Sequence, residues 1–237
     1  MDLGLNGKVA LVTASSKGLG RASALALSRE GARVVICARG EESLREAERQ
    51  MPGETLAIVA DVTEPEAPQH LVDAAVERFG GLDVLVANAG GPPPMRALEV
   101  DDAAVEAAVN ANLLTSIRLV RSALPHLRQA AWARICCIAS WGVKEPIPEL
   151  ALSNIARTGL WAWAKTAAKD LAEDGVTLNL ALPGPHATDR MKELGGGGRM
   201  GDPEDFGRVV AFLCSEPAGF ISGAALSVDG AASAGLL

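Results

Sequence analysis

Val9 Ala10 Leu11 Val12 Thr13 Ala14 Ser15 Ser16 Lys17 Gly18 Leu19 Gly20 is an apolar run that breaks into a glycine-rich turn and then a helical pattern. Consecutive apolar residues of this kind read as a buried strand. Glycines after it let the backbone approach whatever sits at the helix start, where unpaired N–H groups and the helix dipole favour an anion. Strand, turn and helix in that order are the context of a dinucleotide-binding turn, and also of a plain strand-to-helix connection.

Outward from this stretch the pattern repeats. Strand-like runs at 9–13, 34–37, 56–60, 84–87, 135–139, 176–181 and 225–228 alternate with helical patterns at 21–29, 43–50, 67–79, 105–127, 154–172 and 203–213. Such alternation implies crossover units, hence an α/β chain: a Rossmann-type doubly wound sheet of about seven parallel strands with helices on both faces. Residues 1–237 fit one dinucleotide-binding domain of ordinary size. Four consecutive glycines, 195–198, leave the backbone with little bias, so a mobile substrate loop is expected over 185–201.

Composition narrows the function classes. The formal net charge is -7 and the 22 Lys and Arg are scattered, which argues against a nucleic-acid partner. No apolar run approaches the roughly 18 residues that span a bilayer, and the start lacks a basic region followed by an apolar one, so no membrane partner and a cytoplasmic location are expected. Cys37, Cys136, Cys137 and Cys214 lie in apolar stretches without CxxC spacing, which reads as buried free thiols and no metal site.

The order of motifs resembles the short-chain dehydrogenase/reductase family, in its ketoacyl-reductase and sugar-dehydrogenase branch. The residues that carry the resemblance are Thr13 to Gly20, Asp61 Val62, Asn88 Ala89 Gly90, Asn112, Ser140, Pro183 Gly184 Pro185, and the tail from Ser222 Gly223 to Val228 Asp229 Gly230. It implies an oxidoreductase acting on a carbonyl or secondary alcohol, a small-molecule substrate, and a homo-oligomer, dimer or tetramer. It implies cofactor contacts at Thr13, Ser15, Ser16, Lys17, Gly18, Leu19 and Gly20, with Asp61 and Val62 beside the adenine. Asn88, Ala89 and Gly90 would lie beside the cofactor, and Pro183, Gly184 and Thr188 over the nicotinamide. The family usually has glycine where Ala14 stands. That alanine is strained if its φ is positive and harmless if negative.

Charge favours NADP over NAD. Ala38 stands where NAD-preferring members place an acid, and Arg39 and Lys17 provide positive charge for a ribose phosphate. Alternatively both are ordinary solvated charges, with a carboxylate such as Glu41 pairing with Arg39.

At the chemical end the family uses a serine with a tyrosine and a lysine spaced as YxxxK on one helix. Ser140 and the supporting Asn112 match. Thirteen and seventeen residues after Ser140 stand Ser153 and Arg157, and the sequence contains no tyrosine at all. Serine is shorter and a far poorer acid than a phenol. Arginine supplies fixed charge, or a hold on a ribose hydroxyl, but exchanges no protons near neutral pH. The proton then comes from water or from His186, whose alternative is an ordinary solvated loop histidine. Without a working donor the chain is a catalytically silent dinucleotide-binding protein or an oligomeric scaffold.

Lys144 and Glu145 follow Ser140 closely enough to line the same cleft. Pro92 to Met95, Trp141 and Gly195 to Met200 are expected to shape the substrate pocket. Trp161 and Trp163 are either core residues or anchors of a subunit contact.

Overall fold

The strands are β1 (Val9–Val12), β2 (Arg33–Ala38), β3 (Thr55–Val59), β4 (Val84–Ala87), β5 (Ala133–Ile138), β6 (Val176–Pro183) and β7 (Ala225–Val228). Between and after them run α1 (Gly18–Arg29), α2 (Glu41–Arg49), α3 (Ala67–Phe79), α4 (Asp102–Val109), α5 (Thr115–Leu127), α6 (Ala151–Asp170), α7 (Asp189–Glu193) and α8 (Pro203–Leu213). This computed structural model describes residues 1–235.

All seven strands join one parallel sheet in the order β3-β2-β1-β4-β5-β6-β7. Parallel strands need both faces covered, and alternating residues of β1 show how this is met. Val9 and Leu11 enter one core with Leu71, Leu119 and Leu160 from α3, α5 and α6. Ala10 and Val12 enter the other with Leu27, Leu44 and Val210 from α1, α2 and α8. The expected Rossmann-like architecture is the one found.

The chain leaves β3 at one edge and returns to β4, beside β1. That reversal opens a crevice beyond the carboxyl ends of β1 and β4, where this class of sheet binds ligands. Thr13 and Asn88, one residue past those two ends, stand at its mouth.

Two boundaries differ from expectation. The helical pattern 105–127 is not one α-helix, because a π turn at Asn110–Leu114 separates α4 from α5 and the Thr115 N–H reaches Asn110 O, five residues back. The Thr115 hydroxyl donates to the same carbonyl at 2.9 Å. Helix α6 begins at Ala151 rather than 154, because the Ala151 N–H bonds Met95 O (3.1 Å) in a bridge to the loop after β4 and so needs no capping side chain.

All four cysteines are free and buried, as expected. Burial pushes the Cys37 thiol up to about 12, which leaves it inert at neutral pH. Among the described residues no helix is long and apolar enough to cross a membrane, and no group of His, Cys, Asp and Glu has the makings of a metal site.

Candidate active site

Thr13 and Asn88 close the nucleotide end by reciprocal hydrogen bonds. The Thr13 hydroxyl donates to Asn88 O (2.7 Å) and accepts from Asn88 N (2.9 Å). The Asn88 side chain then donates from Nδ2 to Ala14 O at 3.1 Å. Ala14 has φ +47°, so its Cβ is strained, by about 1–2 kcal/mol for a left-handed L-residue. The turn is over-determined around it. A Cβ on Gly20 would lie 2.5 Å from Ala14 O and 2.6 Å from Asn88 Nδ2, so only glycine fits there.

The start of α1 suits an anion. Lys17, its N-cap, makes no side-chain capping bond, and no acid stands in the first turn, so the leading N–H groups meet neither a cap nor a carboxylate. Beside them a cavity of about 180 Å³ is lined by the cations Lys17 and Arg21, by Gly18 and Thr188, and by the carboxylates Asp189 and Glu204, the latter paired with Arg29. These residues fit the pyrophosphate of a dinucleotide. Arg21, which the sequence reading did not single out, adds a second cation.

The hydroxyls divide. Ser16 is partly exposed on the turn, but Ser15 points inward: its N–H donates to Cys37 O (2.9 Å), and its hydroxyl donates to Val12 O (2.7 Å) and accepts from Cys37 N (3.2 Å). Ser15 ties the turn to β2 with both its groups. Arg39 does not pair with Glu41, which instead lies 3.9 Å from Arg45. Arg39 sits 3.8 Å from Asp61 with its side chain 81% exposed. Burial pushes the Asp61 carboxyl up, but the Thr63 N–H and hydroxyl together with the Arg39 charge outweigh it and hold the pKa low. Val62 is buried in the core, and its carbonyl accepts from Thr115. Ala89 and Gly90 follow Asn88 at the crevice, Gly90 exposed.

At the chemical end, Ser140 follows β5 and its hydroxyl accepts from Gly142 N at 3.1 Å. Ser153, in the first turn of α6, is 5% exposed. Arg157, one turn on, donates from Nη1 to Ser153 Oγ (3.3 Å) and from Nη2 to Asn112 Oδ1 (2.8 Å). The π turn is what presents Asn112 to it. Arg157 is half-buried. Burial first, then the like charge of Arg190, pulls its pKa down to about 10, and it stays cationic at neutral pH.

His186 is buried, not a solvated loop residue. Its Nδ1 lies 3.0 Å from Gly184 O, its ring packs T-shaped on that of Phe206 with centroids 5.2 Å apart, and its backbone pairs with Gly201. It clamps residues 185–201 to the end of β6. Thr188 caps α7 by accepting from Met191 N. Gly184 N donates to Val228 O, so the Pro183–Gly184 turn rests on β7. Arg190, missed in the sequence, reaches from α7 to Pro92 O (2.5 Å), and the sole signal for it was its charge in the loop after Pro185. Glu145 accepts from Ala234 N (2.6 Å), so the tail closes on the segment after Ser140. Trp161 and Trp163 are half-buried against the core.

A parallel sheet reversing between β1 and β4, with a glycine turn at the reversal, defines the Rossmann-like α/β class. A family model described as enoyl-(acyl carrier protein) reductase matches residues 13–233. The chain belongs to the short-chain dehydrogenase/reductase family. The 3-oxoacyl-(acyl-carrier-protein) reductase FabG of Vibrio cholerae is 31% identical over 241 residues, covering 96% of this chain and 98% of that protein. L-sorbose reductase from Gluconobacter frateurii, solved with NADPH and L-sorbose, is 30% identical at a TM-score of 0.90, covering 97% and 98%. A short-chain oxidoreductase from Pseudomonas aeruginosa PAO1, solved in apo form and described as containing an atypical catalytic center, is 27% identical at a TM-score of 0.92, covering 98% and 99%.

Proposed function

We propose that this chain is an NADP(H)-linked oxidoreductase of carbonyl compounds or secondary alcohols, related to 3-oxoacyl reductases, in which fixed polar groups and water replace a tyrosine proton donor. The observation that carries this reading is the Arg157 bridge between Ser153 and Asn112, a cation held rigidly among hydroxyl and amide groups at the strand ends.

A bound dinucleotide would supply hydride to the carbonyl carbon. Thr13, Asn88 and Gly20 shape the turn for it, Lys17 and Arg21 attract its phosphates, and Arg39, exposed and 3.8 Å from Asp61, is the cation offered to a ribose phosphate. The hydroxyls of Ser140 and Ser153 donate to the carbonyl oxygen, and Arg157 stabilises the alkoxide as the carbon–oxygen π pair moves onto oxygen. Water then gives the alkoxide a proton and leaves as hydroxide. His186 holds the loop rather than the proton, because its ring is packed between Gly184 and Phe206. The solvent-facing parts of Trp161 and Trp163 support a homo-oligomer built through α6.

A silent dinucleotide-binding protein is the second reading, favoured by the absence of tyrosine from the whole sequence. Calorimetric titration with NADPH and NADH, followed by NADPH oxidation with a panel of ketones and ketoacyl thioesters, separates the two. Binding with turnover lost in Ser140→Ala supports the enzyme, binding without turnover supports the silent protein, and no binding rejects both.

A further inference from the structure

The π turn at Asn110–Leu114 is a rare local conformation that something must hold. It carries one residue more than a regular turn, and each residue of a helix advances the chain by about 100° around the axis. Annealing of 105–127 into one continuous helix would therefore shift the phase of α4 and Asn112 against α5 by about that angle. Asn112 does little to hold itself, because its Nδ2 contact to Ala108 O is long at 3.5 Å. Its aim at Arg157 is set by the backbone that carries it.

That backbone is anchored through Asn110, two residues earlier. Asn110 Nδ2 donates to Thr63 O at 3.2 Å, and Asn110 Oδ1 accepts from Arg118 Nη1 at 2.7 Å. A carbonyl only accepts and a guanidinium only donates, so both ends of this amide are determined. The Asn110 carbonyl takes the Thr115 N–H and, at 2.9 Å, the Thr115 hydroxyl, which also lies 3.3 Å from Val62 O. Thr63 is itself fixed, since its N–H and hydroxyl donate to Asp61 Oδ1 at 3.0 and 2.8 Å. The turn is thus fastened to the segment after β3 on one side. On the other it offers Asn112 Oδ1 to Arg157 Nη2 at 2.8 Å, while Arg157 Nη1 reaches Ser153 Oγ at 3.3 Å.

We infer that Asn110 is a positioning residue: by pinning the π turn to Thr63 it aims Asn112 at Arg157 and so fixes the guanidinium beside Ser153. Its effect on turnover rests on the oxidoreductase reading, whereas its hold on Arg157 does not.

The test is arginine side-chain NMR on the full chain, which reads rotation about the guanidinium C–N bonds, with Arg157 and Arg134 each assigned by its lysine variant. Arg134, held by the carbonyls of Ala133, Ser215 and Glu216, is the internal reference. Asn110→Asp is nearly isosteric, keeps the acceptor for Arg118 and replaces the donor to Thr63 O by a repelling oxygen. It is expected to speed rotation at Arg157 about 10-fold, as loss of one charge-assisted hydrogen bond implies, with Arg134 within about twofold. Arg118→Gln, outside the π turn, frees the other end of the same amide; it is expected to act in the same direction and decides the matter if Asn110→Asp does not fold. Unchanged rotation at Arg157, or equal loosening of Arg157 and Arg134, overturns the inference. In ketone reduction with NADPH the same variant should lower kcat about 10-fold and leave the nucleotide KM within about twofold. Loosening of Arg157 with kcat unchanged also overturns it. The two failures separate: loosening of Arg157 in a chain that reduces nothing keeps the positioning and rejects the oxidoreductase, whereas turnover with rotation unchanged rejects only the role of Asn110.

Discussion

Arg157 donates from Nη2 to Asn112 Oδ1 at 2.8 Å, fastening α6 to the π turn between α4 and α5. One hydrogen bond thus joins the position where the family resemblance expects a lysine to an insertion in helix geometry, a type of bulge frequent at functional sites. A guanidinium there has fixed direction and permanent charge, so it orients and stabilises but passes no proton. In the reaction proposed above this arrangement acts electrostatically, and the proton is left to solvent.

The strain at Ala14 is measurable. Ala14→Gly removes about 1–2 kcal/mol of left-handed strain and returns about 0.4–1 kcal/mol of unfolded-state entropy, so a net gain of about 0.5–1 kcal/mol is expected. In a chain of this size that raises Tm by about 1–4 °C. A lower Tm would mean that packing of the Ala14 methyl and the added unfolded-state entropy of glycine outweigh the strain.

Arg39 should govern cofactor choice and little else. Its 3.8 Å contact with Asp61 is exposed, a geometry that contributes little to stability. Arg39→Ala is therefore expected to leave Tm unchanged and weaken NADPH about 10-fold with NADH nearly unaffected, as loss of one charge-assisted phosphate contact implies. An equal loss for both nucleotides in calorimetry would remove Arg39 from the phosphate site.

The sheet was legible because buried parallel strands are near-continuous apolar runs, and β4, β7 and α8 begin and end where the pattern did. The π turn was not, since one extra residue per turn leaves the apolar spacing of 105–127 almost intact. For the same reason Asn112 was legible as a match but not as the Arg157 partner. Ser15 looked like a cofactor contact because turn residues of either orientation share one sequence. The φ of Ala14 was open for a related reason, as alanine marks neither sign. Arg190 went unnoticed because a charge in a loop acquires meaning only from what it reaches, here Pro92 and the neighbourhood of Arg157.

His186 offers a discriminating substitution. Truncation to alanine removes a ring packed on Phe206 and the Nδ1 contact to Gly184 O, and a destabilisation of about 2–3 kcal/mol is expected. His186→Asn preserves more of the polar contact and should retain the shape of the pH–rate profile. If instead a titrating limb vanishes from that profile while NADPH affinity holds, His186 is the proton donor and water is not.

The decisive substitution rebuilds the missing pair. Ser153 and Arg157 are one turn apart on α6 and already in contact, so Ser153→Tyr with Arg157→Lys places a phenol and an ammonium on one helix face. Lysine lowers the phenol's pKa from its reference of about 10, and a positioned general acid contributes about 100- to 10,000-fold. Ser153 is buried at 5%, so the longer phenol must project past the serine site. We expect the double variant to raise kcat for ketone reduction at least about 10-fold, and Ser153→Tyr alone to give less, because the retained guanidinium still occupies Asn112 Oδ1 and relays no proton. Circular dichroism and NADPH binding guard against misfolding. If both stay intact and kcat does not rise, the cleft is shaped around Arg157, and the tyrosine is absent because this site does not use one.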